Sequence, residues 1–163
     1  MSLLIAHGTL DDVAEADALI RATADWLIGR GEPLWGPNET SREELMRVAH
    51  SGELIVGRVL CELASCMYLH HEDRLFWPHA RPGEAFYIHR LAVARPFAGR
   101  GYAHAMLEWA ASEARARGRP YLRLDCEPRA KLLALYASVG YRRVDSAPIQ
   151  VGEHFVVRHE KRL

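Results

Sequence analysis

The sequence has no excess of either charge and no long hydrophobic run. Its 163 residues include 21 Lys and Arg and 21 Asp and Glu, so the formal net charge is zero. This balance argues against a nucleic-acid or membrane partner that is bound mainly by bulk charge. No apolar stretch reaches membrane length, and none follows a basic segment of the kind that opens a signal peptide. We therefore expect a cytoplasmic protein with no nucleic-acid and no membrane partner.

Cysteine is also scarce. The three cysteines, Cys61, Cys66 and Cys126, are odd in number and lack the spacing of a metal or redox motif, which indicates reduced thiols. Repeats, linkers and low-complexity segments are missing as well. With 49% apolar and 26% charged residues, the chain is typical of a globular protein, and we expect one domain over 1–163.

The remaining pattern predicts a mixed α/β protein, because helices and strands are spread along the chain. Thr9 with Asp12, and Ser41 with Glu44, have the spacing of capping boxes at helix starts. Between these two helices, 32–38 has the composition of a loop. The predicted strands lie at 3–7, 85–93, 121–126, 141–144 and 154–161, with a hairpin over 53–69 that turns near Gly57–Arg58. The predicted helices lie at about 10–28, 41–52, 102–117 and 131–139.

A glycine loop, "PFAGRGYAHAML", joins the strand at 85–93 to the helix after it. Gly99 and Gly101 allow a backbone to approach something that side chains would block. A Walker phosphate loop is rejected, because Tyr102 and Ala103 follow where Lys and Ser/Thr are required. A dinucleotide fingerprint fits poorly, because His104 occupies its third glycine position.

Two linked motifs carry a closer resemblance. The strand ends Leu91-Ala92-Val93, and the loop reads Ala98-Gly99-Arg100-Gly101-Tyr102-Ala103. Further on, "LRLDCEPRAKLLALYASVGY" has a strand, a helix, a tyrosine and Gly-Tyr. Together they resemble the GCN5-related N-acetyltransferase (GNAT) family, whose signature is Arg/Gln-x-x-Gly-x-Gly/Ala after Leu-x-Val. Ala98 replaces the family's Arg or Gln, and Arg129 replaces its Asn at the helix start.

The resemblance implies a fold and a cosubstrate. The expected fold is a single GNAT-like α/β domain: a central twisted mixed sheet with helices on both faces and splayed parallel strands in the middle. The cosubstrate is acetyl-CoA, and no metal is implied. Many family members are homodimers, so a homodimer is one assembly that the resemblance implies for this protein. By resemblance, the cofactor-binding residues are Leu91, Ala92, Val93, Ala98, Gly99, Arg100, Gly101, Tyr102, Ala103 and Arg129.

The implied reaction is direct transfer of an acetyl group to a primary amine, with a small molecule as the expected acceptor. Tyr136 matches the family tyrosine and is the predicted acid. His89 matches one of the paired histidines of arylalkylamine N-acetyltransferases and is the predicted base, while Tyr87 occupies the other position. His89 stands two residues before Leu91, so strand alternation predicts that both side chains point to one face. Glu84, Asp125 and water are the alternative bases, and Glu84 and Asp125 could instead anchor a cationic substrate.

Other readings stay open at this stage. His70, His71, Asp73 and His79 could suggest a metal, but a solvated loop is the better interpretation of them. By resemblance, the loops that carry Leu34, Trp35 and Trp77 flank the acceptor pocket; buried structural tryptophans would look the same in the sequence. The acceptor could also be a protein or peptide. A non-catalytic acyl-CoA-binding module is the alternative from a different functional class.

Overall fold

The computed structural model describes residues 2–36 and 39–163, which form two compact units. The first unit contains the residues up to Tyr68 together with Arg90–Met106, and the second contains Leu69–His89 and Leu107–Leu163. Helices and strands are interspersed along the chain, so the mixed α/β prediction is confirmed. The loop prediction over 32–38 falls partly on Pro37 and Asn38, which lie outside the described residues.

The first unit is built from antiparallel strands and two helices. β1 (Leu4–His7) pairs with β2 (Leu54–Val59), and β2 pairs with β3 (Glu62–His70). The helices are α1 (Val13–Gly29) and α2 (Arg42–His50). Apolar residues at helical spacing on α1 and α2 form one core with the inward side chains of the strands. This core includes Val13, Ala16, Leu19, Ile20, Leu45, Val48, Leu54, Val56 and Cys66.

The predicted N-terminal cap is confirmed. The Thr9 N–H donates to Asp12 Oδ2 at 2.7 Å, and Thr9 Oγ1 accepts from the Asp11 N–H at 3.2 Å. A short 3₁₀ turn, Leu10–Asp12, therefore leads into α1. Ser41 Oγ likewise accepts from the Glu44 N–H at 3.2 Å and starts α2.

The hairpin over 53–69 is confirmed, but the predicted position of its turn was wrong. β2 ends at Val59 and β3 begins at Glu62, so the turn lies at Leu60, whose φ is 54°. Gly57 lies inside β2, where the register with β3 shifts. The Ser65 side chain stands where a Cβ on Gly57 would be, so the glycine serves close packing within the strand rather than a turn.

The second unit contains the parallel strand pair. β4 (Ala85–Val93) pairs with β5 (Tyr121–Cys126) in a register that runs from Ala85–Tyr121 to Ile88–Leu124. β8 (His154–Arg162) is antiparallel to β5 and also pairs with two short strands. These are β6 (Arg142–Arg143) and β7 (Ile149–Val151), and β7 was not predicted.

Two helices complete the chain. α3 (Tyr102–Ala116) begins in the first unit and continues into the second, and α4 (Ala130–Ser138) belongs to the second. Both were predicted at these places from the periodicity of their apolar residues.

Trp77 anchors the 71–84 loop in the second unit. Its ring lies 4.6 Å from the Arg123 guanidinium and 5.1 Å from that of Arg158. Arg158 donates from its backbone N–H, Nε and Nη2 to the Asp145 carboxylate, and from Nη1 to the Phe76 carbonyl at 3.1 Å. The hydrogen bonds from Arg158 hold the pKa of Asp145 below its usual value. One arginine thus ties the loop to β8.

Replacing Arg158 by Ala should lower the free energy of unfolding by about 2–3 kcal/mol, because charged hydrogen bonds to a largely buried carboxylate are lost. Urea unfolding would measure it. Arg74→Ala is the matched control: the Arg74 side chain is 82% exposed and pairs with Glu72, so we expect a change of at most about 0.5 kcal/mol. Equal losses in the two variants would contradict this account.

Candidate active site

The glycine loop has the backbone that its sequence predicts. Gly99 and Gly101 have φ values of 75° and 78°, in the left-handed region that favours glycine. A Cβ built on either residue would meet no atom of the described chain within 4 Å. Both glycines are therefore needed for the course of the backbone, and the space in front of them is open.

Aromatic packing fixes this loop to the first unit. Phe97 and Tyr102 are buried, with ring centroids 6.2 Å apart, in a cluster with Val59 and Ala64. The Ala105 N–H donates to the Gly101 carbonyl at 3.0 Å, so helical bonding starts directly after the loop. The first N–H groups of a helix have no partner within it and favour an anion. The loop and the start of α3 thus have the chemistry of a phosphate-binding turn.

The backbone of β4 departs from the extended conformation at Arg90, whose φ is 52°. Arg90 Nε donates to the Glu39 carbonyl at 2.9 Å, and its guanidinium lies 5.7 Å from the Trp35 ring centroid. Side chains alternate only while a strand stays extended, so the expectation that His89 and Leu91 share a face does not carry across this residue. Beyond it, Ala92 is buried in the core of the first unit.

His89 lies in a cluster of acidic and aromatic side chains in the second unit. Its Nε2 is 2.9 Å from Asp73 Oδ2, and its Nδ1 is 3.9 Å from Asp125 Oδ1. The rings of His70 and Phe76 have centroids 5.3 Å and 6.3 Å from that of His89. The predicted base and one of its alternatives, Asp125, are therefore neighbours.

Asp73 is held in place by its own loop. Its Oδ1 accepts from the Phe76 N–H at 3.0 Å, and its backbone carbonyl accepts from the Trp77 N–H at 3.0 Å. Burial alone would raise the pKa of this carboxyl. The hydrogen bond with His89, the His89 charge and the Phe76 N–H together hold that pKa below its usual value. Asp73 is therefore an ionised, hydrogen-bonded carboxylate at neutral pH.

The same three side chains are near enough for a cation. Asp73, His89 and Asp125 each offer one ligand atom, all within 4.8 Å of one another. Only Asp73 comes from the histidine-rich loop that suggested a metal in the sequence. Because Nε2 of His89 is engaged directly by the Asp73 carboxylate, we interpret the group as an acid–base cluster.

Tyr136, the predicted acid, lies on α4 and is buried. Its ring centroid is 5.9 Å from that of Tyr141 and 5.8 Å from that of His159. Burial raises the pKa of the Tyr136 hydroxyl above its usual value, and the nearby Cys126 and Asp125 raise it further. The hydroxyl therefore keeps its proton at neutral pH.

Two other predicted residues are engaged in ion pairs. Glu84, an alternative base, accepts from Arg123 Nη1 at 3.0 Å, and this hydrogen bond lowers the pKa of the Glu84 carboxyl. Arg129 precedes α4, and its Nη2 is 2.7 Å from Glu127 Oε2. The pairing with the buried Arg123 ties Glu84 to β5.

The two tryptophans of the predicted acceptor loops are buried. Trp35 joins the core of the first unit, and Leu34 packs against that core. Trp77 packs with Phe76 and Tyr87 in the second unit. Both tryptophans are therefore buried in the core of their unit, which is the alternative that the sequence had left open.

Sequence reasoning missed Asp73 as the partner of His89. The two residues are 16 positions apart, and their contact depends on the fold of the intervening loop. The only signal in the sequence was local. An Asp side chain can accept a hydrogen bond from a backbone N–H a few residues further on and so form a turn. That signal predicts a turn at Asp73 but not which histidine the carboxylate meets.

Comparison with known proteins decides the family. A family model described as "Acetyltransferase (GNAT) family" matches residues 20–141. The chain belongs to this acetyltransferase family. The resemblance inferred from the two motifs is therefore confirmed, and with it the mixed α/β fold class.

Individual relatives agree with this assignment. Uncharacterized N-acetyltransferase YesJ of Bacillus subtilis (strain 168) is 30% identical over 138 residues, which cover 80% of this acetyltransferase and 77% of YesJ. A GNAT-family acetyltransferase from Listeria monocytogenes superposes with a TM-score of 0.83 at 21% identity, covering 99% and 95% of the two chains. The PaiA N-acetyltransferase from Thermoplasma acidophilum, solved with coenzyme A, gives 0.77 at 14% identity and covers both chains fully. The two structural likenesses show the fold.

Among the described residues of this acetyltransferase, none of the helices combines the length and the apolar character that crossing a bilayer requires.

The lowered pKa of Asp73 predicts a pH-dependent stability. An ionised carboxyl whose pKa falls on folding stabilises the folded state above the ordinary value of 3.8, and this contribution is lost as pH falls through the lower folded value. Asp73→Asn should therefore cost about 1 kcal/mol or more at pH 6–7, and progressively less below about pH 4. Urea unfolding across this range measures the difference. A difference that stays constant with pH would contradict the assignment.

Proposed function

We propose that this acetyltransferase transfers the acetyl group of acetyl-CoA to a small primary amine. The observation that carries the proposal is the open glycine loop at the start of α3, in a chain of the acetyltransferase family. The pyrophosphate would bind the backbone N–H groups of 98–103, where the helix dipole favours an anion. Arg100 adds positive charge that Ala98 does not supply. The PaiA N-acetyltransferase, which shares the fold, was solved in complex with coenzyme A, and this supports the same class of ligand here.

The strand before the loop supplies the remaining donor-side contacts. Leu91, Ala92 and Val93 would pair with the pantetheine arm through backbone groups, as a ligand that adds to a strand edge. One of their N–H groups would stabilise the oxyanion that forms when an amine attacks the thioester. Arg129 remains a predicted contact of the arm, with its guanidinium oriented by Glu127. We also propose that 1–163 act together as one acetyltransferase domain.

Tyr136 and His89 would handle the protons. A hydroxyl whose pKa is raised by burial is protonated at neutral pH, so Tyr136 can donate to the thiolate as it leaves. His89 is oriented by Asp73 and can accept a proton from the amine. The small exposed fractions of the His89, Asp125 and Asp73 side chains, 18%, 11% and 7%, favour a small acceptor over a protein surface.

The loop is tested by Gly101→Val with Gly118→Val as its matched control. Both glycines have positive φ and open space for a Cβ, so both variants carry a similar backbone strain. Gly118 closes α3 at its far end and should leave binding intact. We expect Gly101→Val alone to weaken acetyl-CoA binding by about tenfold or more in calorimetric titration. Equal affinities for the two variants would refute the loop's role.

The role of Tyr136 as the acid is tested by the variant Tyr136→Phe, with Tyr141→Phe as its matched control. Losing the Tyr136 hydroxyl should lower kcat by about a hundredfold or more, with little change in the KM for acetyl-CoA. The Tyr141 hydroxyl is buried and has no hydrogen-bond partner among the described residues, so removing it should leave turnover unchanged. Release of the CoA thiol in the presence of an accepted amine measures both. Unchanged turnover in Tyr136→Phe would show that the acid is misassigned.

A further inference from the structure

The arginine at the start of the turn before the glycine loop lies over a tryptophan ring. Arg95 begins the short 3₁₀ turn Arg95–Phe97, and its guanidinium carbon is 3.8 Å from the centroid of the Trp26 ring. Trp26 lies on α1 and is half-buried, whereas Arg95 is exposed. A contact this short places the cation against the face of the ring, where the attraction is strongest. Trp26 thus holds an exposed guanidinium beside the loop.

The charge of Arg95 is not neutralised within the described part of the chain. Neither Arg95 nor Arg100 forms an ion pair with a described residue, although Arg100 also lies near a ring, 5.6 Å from the centroid of Phe97. Stacking uses the face of a guanidinium and leaves the N–H groups along its edge available to an acceptor. These N–H groups form the planar fork that matches two oxygens of a phosphate. Two arginines with unneutralised charge therefore flank Gly99.

Acetyl-CoA has two separate phosphate sites, and the proposed loop accounts for one of them. The pyrophosphate is assigned above to the backbone N–H groups of 98–103 and to Arg100. The other is a phosphate monoester on the 3′-oxygen of the ribose, and such a group has a charge of about −1.5 to −2 at neutral pH. Both are attached to the same ribose, so a bound pyrophosphate keeps the monoester within a few bonds of the loop.

We propose that Arg95, held by Trp26, binds the 3′-phosphate of acetyl-CoA and makes this acetyltransferase select acetyl-CoA over its 3′-dephospho form. The proposal rests on the proposed function and adds a residue that determines specificity for the cosubstrate. The edge of the Arg95 guanidinium would donate two parallel N–H···O hydrogen bonds to the monoester. Because the ring already orients this long side chain, less conformational entropy is lost when the phosphate binds.

Arg30 provides a contrast on the same ring. Its guanidinium carbon is 4.9 Å from the Trp26 centroid, but its Nε is 3.5 Å from Glu32 Oε2. Arg30 is also the C-cap of α1, where a cation is favourable because of the helix dipole. The charge of Arg30 thus has partners within the protein. A purely structural role for Arg95 would change stability without changing the selectivity between the two ligands.

The variant Arg95→Gln tests the phosphate contact in calorimetric titrations with acetyl-CoA and with 3′-dephospho-acetyl-CoA. We expect the wild type to bind acetyl-CoA about tenfold or more tightly than the 3′-dephospho form. Arg95→Gln should bind acetyl-CoA about tenfold more weakly and the 3′-dephospho form as the wild type does, so the selectivity disappears. Arg95→Lys should retain part of the selectivity, because an ammonium keeps the charge but lacks the planar fork.

The variant Arg30→Gln is the matched control. It removes the same charge from the other arginine on the Trp26 ring, and we expect both affinities to stay within about twofold of the wild type. Trp26→Leu removes the ring and leaves both arginines in place, so it should weaken acetyl-CoA binding by about threefold and leave the 3′-dephospho form unaffected. Thermal unfolding without ligand shows that each variant is folded before it is titrated.

The outcomes separate this inference from the proposed function. A wild type that binds neither ligand overturns both. A wild type that binds the two ligands equally overturns the inference alone, as does an Arg95→Gln variant that keeps the selectivity or loses both affinities by the same factor. An equal loss of selectivity in Arg30→Gln would assign the effect to diffuse charge and would also overturn it. Loss of selectivity in Arg95→Gln, with partial retention in Arg95→Lys and none lost in Arg30→Gln, supports it.

Discussion

The positive φ of Arg90 is the constraint on which the course of β4 depends. A non-glycine residue with positive φ costs about 1–3 kcal/mol, so its surroundings must hold it there. The hydrogen bond to the Glu39 carbonyl and the contact with the Trp35 ring do so. Before this residue, β4 pairs in parallel with β5 from Ala85 to Ile88, and His89 follows. After it, the strand supplies the backbone that leads into the glycine loop.

The chemistry of the second unit follows from the Asp73 carboxylate, which is removed from water but kept ionised. Asp73 would be costly to bury without partners. The Phe76 N–H and the His89 ring offset that cost for Asp73 and also fix its direction. The same hydrogen bonds that stabilise the loop thereby orient the His89 ring. Burial acts in the opposite sense on Tyr136, whose hydroxyl it keeps protonated. The second unit thus holds an ionised Asp73 carboxylate and a protonated Tyr136 hydroxyl at the same pH.

Local signals in the sequence predicted local structure well. The left-handed glycines Gly99 and Gly101, and the Thr9 cap, are set by backbone sterics and by hydrogen bonds within a few residues. The Gly57 prediction failed because a glycine marks close packing as readily as a turn. The contact between Asp73 and His89 could not be predicted, because it depends on how a long loop folds against the sheet. The motif therefore predicted the backbone of the loop, whereas the cluster around His89 required the structure.

The central claim is the proposal that this acetyltransferase transfers the acetyl group of acetyl-CoA to a small primary amine. Mass spectrometry of alkylamines incubated with the protein and isotopically labelled acetyl-CoA tests it most directly. The account predicts a labelled N-acetyl product and CoA thiol in equal amounts. Acetyl-CoA that binds yet stays intact with every amine would contradict it, and would leave an acyl-CoA-binding module.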